Sequence, residues 1–240
     1  MKPHVICHMI SSLDGGLHPS RWTESPDGSR VDWTALYQSC HEKLEGDAWM
    51  VGRVTMAEMS KGNPHPPHEH EHEHEHEHDK VDRSRHFANR EAANYAIAVD
   101  TSGELHFTKN EIDGDHVVVL LGGDVPDSHL AELAGDGVSY IVSTQPQLDL
   151  PAMLDILNRE LGIKRLLLEG GAGINGSFLA EGLVDEISLL VAPALDGRAA
   201  SQSFVEFGEE GLAGKVALSL KSCETLDHGV IYLRYTVAPR

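Results

Sequence analysis

The sequence predicts an α/β protein with a mostly parallel central sheet, helices on both faces and an antiparallel hairpin at the carboxyl end. Apolar runs of strand length alternate with amphipathic stretches through most of the 240 residues, which is typical of a parallel sheet with helical crossovers. The last two apolar runs, Val216–Thr225 and Gly229–Val237, are joined across Leu226–Gly229, and this short turn favours an antiparallel hairpin. We predict one domain over residues 1–240.

The strands before the hairpin are predicted from short runs of apolar or β-branched residues. They are Val5–Ile10, Ala48–Val51, Tyr95–Val99, His116–Leu121, Val138–Val142, Leu166–Leu168 and Glu186–Ala192. Helices are predicted where apolar residues recur at spacings of three and four, in two cases behind a capping residue. They run from the cap Asp32 to near Gly46, over Met56–Met59, from the cap Ser128 to Leu133, and over Pro151–Leu161.

The composition excludes two classes of protein. A formal net charge of −19 opposes nucleic-acid binding, which requires a basic face, and any phosphate site must therefore be built locally. No apolar run approaches the roughly 18–20 residues that cross a bilayer, and the amino terminus is predicted to be a strand and not a signal peptide. The cysteines Cys7, Cys40 and Cys223 are far apart and odd in number, which predicts a cytoplasmic protein without disulfides.

The chain is organised around residues 164–179, where a buried strand meets a glycine-rich turn. The four glycines are Gly170, Gly171, Gly173 and Gly176. Glycines let a backbone approach a ligand closely, and the free amides at a helix start attract an anion. We predict a phosphate or pyrophosphate site here, with a helix opened by Asn175 or Ser177 and with Glu169, the last strand residue, facing the same crevice. The match to G-x-G-x-x-G is weak alone, and a purely structural glycine turn is the alternative.

Two earlier turns also follow apolar strands and carry polar groups. The first contains Ser12 and Asp14, and Asp14 either closes the turn through backbone hydrogen bonds or acts in catalysis. Trp22, in the polar loop beyond, is predicted to be an exposed wall or lid for a ligand, with packing as the alternative. The second turn, Gly52–Thr55, begins a helix, and its Arg53 either holds a phosphate in its planar fork or is an ordinary surface residue.

The composition changes abruptly at His65–His78, the His/Glu run, within a predicted low-complexity insertion at residues 63–80. The run has no apolar residue to bury, which predicts a solvated, flexible segment. It is expected to bind divalent metals adventitiously, but a repeat offers many equivalent sites and no unique one, so no catalytic metal is predicted. Basic residues follow, and they either frame a substrate phosphate or offset the glutamates. They are Lys80, Arg83, Arg85 and Arg90.

Five motifs in order resemble the reductase domain of bifunctional riboflavin-biosynthesis deaminase/reductases and its stand-alone relatives. They are Ser12–Gly15, Ser20–Trp22, Gly52–Thr55, Glu169–Gly171 and Gly182–Glu186. The resemblance covers residues 3 to about 237, apart from the His/Glu run. It implies a dihydrofolate-reductase-like fold, NADPH as cofactor and a homodimer. No H-x-E followed by P-C-x-x-C occurs, so the deaminase half is not expected.

The resemblance also implies roles for individual residues. Ser12, Asp14 and Glu169 would border the nicotinamide and the substrate, and Trp22 would lie against the cofactor. Asp14 would assist proton transfer, and Glu169 would accept N–H groups of the pyrimidine. The adenosine-side phosphates would meet Gly52, Arg53 and Thr55. The pyrophosphate would lie on Gly170, Gly171, Ala172, Gly173, Ile174, Asn175 and Ser177. His8 stands where many bifunctional enzymes have lysine, and it is either a second proton donor or a histidine satisfied in the core.

The expected activity is therefore NADPH-dependent reduction of the ribosyl group of a 5-amino-6-(5-phosphoribosylamino)pyrimidine to ribityl, with NADPH preferred over NADH. The D-D-P-x-L-T-x-R segment of the bifunctional enzymes has no match here, which affects the identity of the substrate more than the fold. Two alternatives stay open. One is a reductase of the same fold for a pterin or folate, and the other is a metal-buffering protein whose function is the His/Glu run.

Overall fold

The computed structural model describes residues 1–60, 82–199 and 202–239, so the His/Glu run and Lys80 lie outside the described residues. The chain forms two compact units, which are described separately. The terminal unit comprises Pro3–Trp49 and Lys164–Arg240, and the middle unit comprises Met1–Lys2 and Met50–Ile163. Among the described helices, none combines the length and the apolar character that a membrane crossing needs.

The helices and strands are numbered in chain order. The strands are β1 (His4–Ser12), β2 (Ala48–Gly52), β3 (Arg85–His86), β4 (Tyr95–Asp100), β5 (Glu111–Ile112), β6 (Asp115–Leu121), β7 (Ser139–Val142), β8 (Arg165–Leu168), β9 (Glu186–Ala192), β10 (Val216–Thr225) and β11 (Ile231–Pro239). The helices are α1 (Arg30–Leu44), α2 (Arg53–Ser60), α3 (Asp127–Gly135), α4 (Leu150–Leu161) and α5 (Ala172–Ala180).

The terminal unit contains strands in the order β10-β11-β9-β1-β8. The strand β1 pairs in parallel with both β8 and β9, whereas β11 is antiparallel to β9 and β10. The predicted carboxyl-terminal hairpin is thereby confirmed. The register places Cys7 opposite Leu168 and His8 opposite Ser188. Because parallel strands end at the same edge, the residues that follow β1 and β8 emerge on one side of this sheet.

The middle unit contains strands in the order β4-β6-β7-β3, with β5 beside β6. The strands β4, β6 and β7 are parallel, and β3 and β5 add short antiparallel pairs. All residues of β4 and β7 are buried. This explains their nearly continuous apolar sequences, because a parallel strand that is covered on both faces has no polar side to show.

Two helix starts differ from the sequence prediction. Ser29, and not Asp32, is the N-cap of α1, and the two side chains form a capping box in which each accepts from the other's backbone N–H. Asp32 is a residue type that can cap a helix, but here it is the third helical residue and the partner of Ser29 in the capping box. The start of α3 is Asp127 behind Pro126, and no side chain caps it. The fixed φ of Pro126 suits the extended residue that precedes a helix, so α3 begins directly after it. Ser128 is then the second helical residue and does not cap the helix.

Candidate functional site

The helix α5 begins earlier than the sequence indicated. The strand β8 ends at Leu168, so Glu169 follows the strand instead of ending it. Gly170 turns the chain with a φ of 118°, a value that strongly favours glycine, and Gly171 is already the N-cap. The prediction that Asn175 or Ser177 opens the helix is therefore wrong: one glycine is enough for the turn, and the others enter the helix or cap it.

The glycines of this segment fall into two groups. A side chain at Gly171 or Gly173 would meet no atom within 4 Å, so the space beside them is open. A side chain at Gly176 would instead overlap the backbone carbonyl of Glu206. The amide of Glu206 donates to the carbonyl of Ala172 at 3.0 Å, so a chain segment crosses α5 at close range. Close packing thus explains Gly176, and Gly171 and Gly173 are the glycines of this segment that leave room for a ligand.

The amino-terminal turn of α5 fits an anionic group. No side chain caps the helix, and the first described intrahelical donor is the amide of Asn175, which reaches the carbonyl of Gly171 at 3.1 Å. The amides of residues 172–174 therefore have no acceptor within the helix, which is the arrangement that binds phosphate at helix starts. The two polar side chains predicted for this site make hydrogen bonds within the protein. Asn175 donates to the carbonyl of Phe204 at 2.7 Å, and Ser177 donates to the carbonyl of Gly173 at 3.0 Å.

Glu169 is held by residues from α1. The Glu169 carboxylate lies 2.7 Å from Nδ1 of His41, and the Glu169 side chain is only 11% exposed. One turn earlier on α1, burial and then Glu169 raise the pKa of Tyr37 well above its usual value, so the phenol stays protonated. Its hydroxyl donates to the backbone carbonyl of His8 at 3.1 Å. A nearly buried carboxylate thus shares its environment with an imidazole and a neutral phenol.

His8 lies in the core of the terminal unit and is fully buried. Its Nδ1 is 2.9 Å from the hydroxyl of Ser188, its strand neighbour, and that hydroxyl is 2.9 Å from the hydroxyl of Tyr232. The His8 ring also stacks on Tyr37 at 4.3 Å. Burial lowers the pKa of His8, so its imidazole is neutral near pH 7. These contacts support the core-histidine alternative over the proton-donor role.

Asp14 connects two loops of the terminal unit. Its carboxylate accepts from the hydroxyl of Ser12 at 2.5 Å and from the backbone amides of Asp196 and Gly197 at 3.0 and 2.7 Å. The Ser12 hydroxyl and then the two amides lower the pKa of Asp14 to about 2. Asp14 is therefore a fixed anion at neutral pH. These backbone hydrogen bonds come from a distant loop and differ from the local bonds of the turn-closing alternative; the hydroxyl of Ser12 accepts the local bond, from the amide of Gly16 at 2.8 Å.

Trp22 is half-buried and packs against a core cluster that includes Trp33, Leu190 and Val230. Its ring lies 5.9 Å from that of Trp33. The expectation that Trp22 is exposed is thus wrong, because its side chain packs against apolar neighbours in the unit. Its indole nitrogen is nevertheless buried and has no hydrogen-bond acceptor among the described residues. A role against the cofactor stays a prediction.

The predicted phosphate contacts of the middle unit lie at the start of α2. Gly52 ends β2, Arg53 is the first helical residue, and Thr55 is half-buried in the first turn. The Arg53 guanidinium forms an ion pair with Glu104, and both side chains are largely exposed. An exposed pair of this kind stabilises a protein by only about 0.2–1 kcal/mol. A phosphate that offers two acceptors could therefore displace Glu104 from the Arg53 fork.

The described arginines after the His/Glu run are engaged within the middle unit. Arg83 pairs with Asp127 and donates to the backbone carbonyls of Gly123 and Val125 at 2.7 and 2.8 Å. Arg85 and Arg90 both face Glu160, at 3.7 and 2.9 Å. Their partners are carboxylates of the middle unit, whereas the glutamates of the His/Glu run, which the sequence offered as partners, lie outside the described residues.

Sequence reasoning missed His41. It lies four residues after Tyr37, a spacing that puts both side chains on one face of α1. That spacing is the only local signal, because the partner Glu169 is 128 residues away. The terminal unit therefore combines a strand-end carboxylate, a histidine that holds it and a glycine-capped helix start. Such a combination is typical of α/β proteins that bind a phosphorylated ligand at the carboxyl edge of the sheet.

Comparison with known proteins agrees with this class. A family model described as the RibD C-terminal domain matches residues 3–232. The 2,5-diamino-6-ribosylamino-4(3H)-pyrimidinone 5′-phosphate reductase of Methanothermobacter thermautotrophicus is 34% identical, over 99% of each chain. The protein of the same name from Archaeoglobus fulgidus is 25% identical, over 82% of this chain and 83% of the relative. The chain belongs to the RibD C-terminal domain family, as the motifs predicted.

Solved structures show the same fold. A pyrimidine reductase-like protein from Corynebacterium diphtheriae matches with a TM-score of 0.67 at 20% identity, over 99% of this chain and 93% of the other. RibD of Acinetobacter baumannii matches with a TM-score of 0.65 at 23% identity, over 99% of this chain and 58% of the other. The fold class predicted from the sequence is thereby confirmed.

Proposed function

We propose that this protein is an NADPH-dependent reductase that converts the ribosyl group of 2,5-diamino-6-ribosylamino-4(3H)-pyrimidinone 5′-phosphate to ribityl. The observation that carries the proposal is the 34% identity to a reductase of that name over 99% of both chains. The name specifies a pyrimidinone that keeps its 2-amino group. We therefore place reduction before deamination, a choice that the sequence motifs alone left open.

The cofactor would be held at its phosphates. The amides of residues 172–174 would meet the pyrophosphate, because they lack acceptors within α5 and because the space beside Gly171 and Gly173 is open. Gly52, Arg53 and Thr55 would meet the adenosine-side phosphates, with Arg53 leaving Glu104 to do so. A fork that meets a 2′-phosphate supports NADPH over NADH.

When bound, the nicotinamide supplies hydride to C1′ of the ring-opened sugar imine, and a proton must reach the adjacent nitrogen. Glu169 would accept N–H groups of the pyrimidine, and His41 would hold its carboxylate in place at 2.7 Å. The pair also offers a route for the proton, since histidine is the side chain whose ordinary pKa lies nearest neutrality.

Asp14 would act differently from Glu169. Its pKa of about 2 makes it a poor proton donor near pH 7. As a fixed anion, it would hold its loop and favour positive charge on the substrate imine. If Asp14 instead transfers the proton directly, Asp14→Asn should lower turnover by roughly 10²–10⁴-fold.

The test is the substrate-dependent oxidation of NADPH, followed by its absorbance, with the ribityl product identified by mass spectrometry. Glu169→Gln should lower kcat/KM by about 10–150-fold, the equivalent of one hydrogen bond to a charged group. His41→Gln should lower kcat, since the imidazole that holds the Glu169 carboxylate at 2.7 Å is gone. Glu209→Gln removes an exposed carboxylate of the same unit and should leave the rates unchanged.

Two results would count against the proposal. If the wild-type chain binds NADPH but does not oxidise it with this pyrimidinone, the substrate is wrong, and a dihydropterin or dihydrofolate should be tested next. If Glu169→Gln and Glu209→Gln have equal rates, Glu169 does not contact the substrate. Homodimer formation stays a prediction, which sedimentation of the purified chain can check.

A further inference from the structure

A cluster of metal-ligating side chains lies in the middle unit, and the proposed function uses none of its three members. It consists of His106, in the chain between β4 and β5, and of His129 and Glu132 on α3. One ligand atom from each of the three residues lies within 4.8 Å of the others. His129 and Glu132 are three residues apart, so they project from one face of the helix.

The Glu132 carboxylate lies between the two imidazoles. Its Oε1 is 2.5 Å from Nδ1 of His106, and its Oε2 is 3.9 Å from Nδ1 of His129. The second distance is too long for a hydrogen bond. The two rings meet edge to face, with their centroids 5.5 Å apart. Both Nδ1 atoms thus face one carboxylate, as the ligands of a divalent ion would.

His129 is the unusual member of the cluster. Its side chain is only 5% exposed, and its Nε2 is buried with no hydrogen-bond partner. Within the described part of the chain, neither ring nitrogen of His129 therefore makes a hydrogen bond. A buried polar group in that state destabilises the fold by about 1–3 kcal/mol.

A second orphaned group lies near the buried ring. Asp100, at the end of β4, is fully buried, and its Oδ2 accepts from the amides of Glu104 and Leu105 at 2.7 Å. Its Oδ1 has no partner among the described residues. Histidines that ligate a metal through one nitrogen commonly give the N–H of the other to a carboxylate. Asp100 Oδ1 and His129 Nε2 do not hydrogen-bond to each other here, since both atoms lack a partner, so Asp100 could become that acceptor only if His129 moves.

We propose that His106, His129 and Glu132 bind one Zn²⁺ ion, with Nδ1 of each histidine and a carboxylate oxygen as ligands. Two imidazoles and a carboxylate are a donor set that Zn²⁺ accepts, with water as the fourth ligand. Zinc–ligand distances of about 2.0–2.2 Å require His106 and Glu132 to separate by about 1 Å and His129 to approach. An ion bound there would tie the chain after β4 to α3. Access is open, since the side chains of His106 and Glu132 are 21% and 15% exposed.

The His/Glu run also binds metals by composition, so the amount of bound zinc does not test this site. Thermal stability does, because a ligand raises the melting temperature only when it binds the folded state better than the unfolded state. A low-complexity run offers similar ligands in both states. Melting of the full chain is therefore measured in Zn²⁺ buffered by a chelator, and again with the chelator alone.

We expect free Zn²⁺ at about 100 times its dissociation constant to raise the melting temperature of the wild type by about 5–10 °C. His106→Gln and Glu132→Gln should lose the shift. His18→Gln removes one imidazole of the terminal unit and should keep it. Melting with the chelator alone shows whether each variant is folded. If Glu132→Gln does not fold, His106→Gln decides the test, because His106 lies in a partly exposed chain segment.

A direct measurement complements the melting curves. Imidazole ¹⁵N spectra of the full chain should show Zn²⁺ changing the Nδ1 signal of His129 while its Nε2 keeps a proton, and His106→Gln should abolish that change. The proposal is overturned if the wild type shows no shift in melting temperature, as expected if a buried water satisfies His129. It is equally overturned if His106→Gln retains the full shift or if the His129 signal does not respond to Zn²⁺.

Discussion

Gly173 and Gly176 lie on consecutive turns of α5, and the same substitution should have opposite effects at the two positions. Gly173 is exposed, and an added Cβ would meet nothing within 4 Å. Alanine is a better helix former than glycine by about 0.5–1 kcal/mol. Gly173→Ala should therefore stabilise the protein by about that amount, or raise its melting temperature by roughly 1–4 °C for a chain of this size.

At Gly176 the gain in helix propensity is opposed by a backbone clash. The added Cβ would overlap the carbonyl oxygen of Glu206 and lie 2.7 Å from its carbonyl carbon. The Glu206 segment must then move, and overpacking of this kind costs about 1–3 kcal/mol. The hydrogen bond from the Glu206 amide to Ala172 contributes about 0.5–1.5 kcal/mol and would weaken. The gain in helix propensity offsets about 1 kcal/mol of these losses. Gly176→Ala should therefore destabilise the protein by about 2 kcal/mol, or lower its melting temperature by roughly 4–8 °C.

The assay is thermal melting of both variants beside the wild type, followed by titration with NADPH. Gly173→Ala should melt at or above the wild-type temperature and bind NADPH more weakly, because its methyl group enters the open space beside the helix start. Gly176→Ala should melt lower, with near wild-type affinity where it is folded. Equal melting shifts of the same sign would refute the distinction between the two glycines. Unchanged NADPH affinity in Gly173→Ala would remove this turn from the phosphate site.

The remaining predictions concern charge and the His/Glu run. Arg53→Ala should weaken NADPH binding relative to NADH binding by about 2–100-fold. This is a charge-assisted contact of about 1.5–3 kcal/mol less the about 0.2–1 kcal/mol of the exposed pair that Arg53 already makes with Glu104. Glu104→Gln should strengthen NADPH binding up to about 5-fold, and equal effects on both nucleotides would exclude a contact between Arg53 and the 2′-phosphate. The folded-state pKa of Asp14 is depressed from 3.8 to about 2, so its stabilising contribution is present above pH 3.8 and is lost as the pH falls towards 2. Acid unfolding curves of Asp14→Asn and wild type should accordingly differ above pH 4 and converge near pH 2. Replacing His68–His78 with a short Gly/Ser linker should preserve cooperative melting and NADPH affinity, since loop closure changes by only about 0.6 kcal/mol per doubling of length; loss of cooperativity would show that the run is structural.

The sequence predicted best what depends on local pattern. Short apolar runs identified the longer strands of both units and the carboxyl-terminal hairpin, because burial on both faces leaves a continuous apolar stretch. They did not identify the two-residue strands β3 and β5, which have no such stretch. It predicted least well where a distant segment decides the local structure. Gly176 suggested a turn, but it lies within α5, and glycine is needed there because Glu206, thirty residues later, crosses the helix and leaves no room for a side chain. The Asp14 carboxylate is likewise stabilised as an anion by the amides of Asp196 and Gly197, and no local motif indicates that contact.

The two carboxylates that the sequence paired as catalytic candidates therefore have different chemistry. Asp14 accepts from a hydroxyl and two backbone amides, donors that give up no proton near neutral pH, so it is a constant negative charge. Glu169 shares its hydrogen bond with His41, whose imidazole belongs to the class of side chains that exchange protons near neutrality. When two titratable groups are placed in such unlike environments, the acid–base role falls to the one whose partner can exchange a proton. The proton that completes imine reduction should therefore depend on the Glu169–His41 pair, and Asp14 should contribute through position and charge.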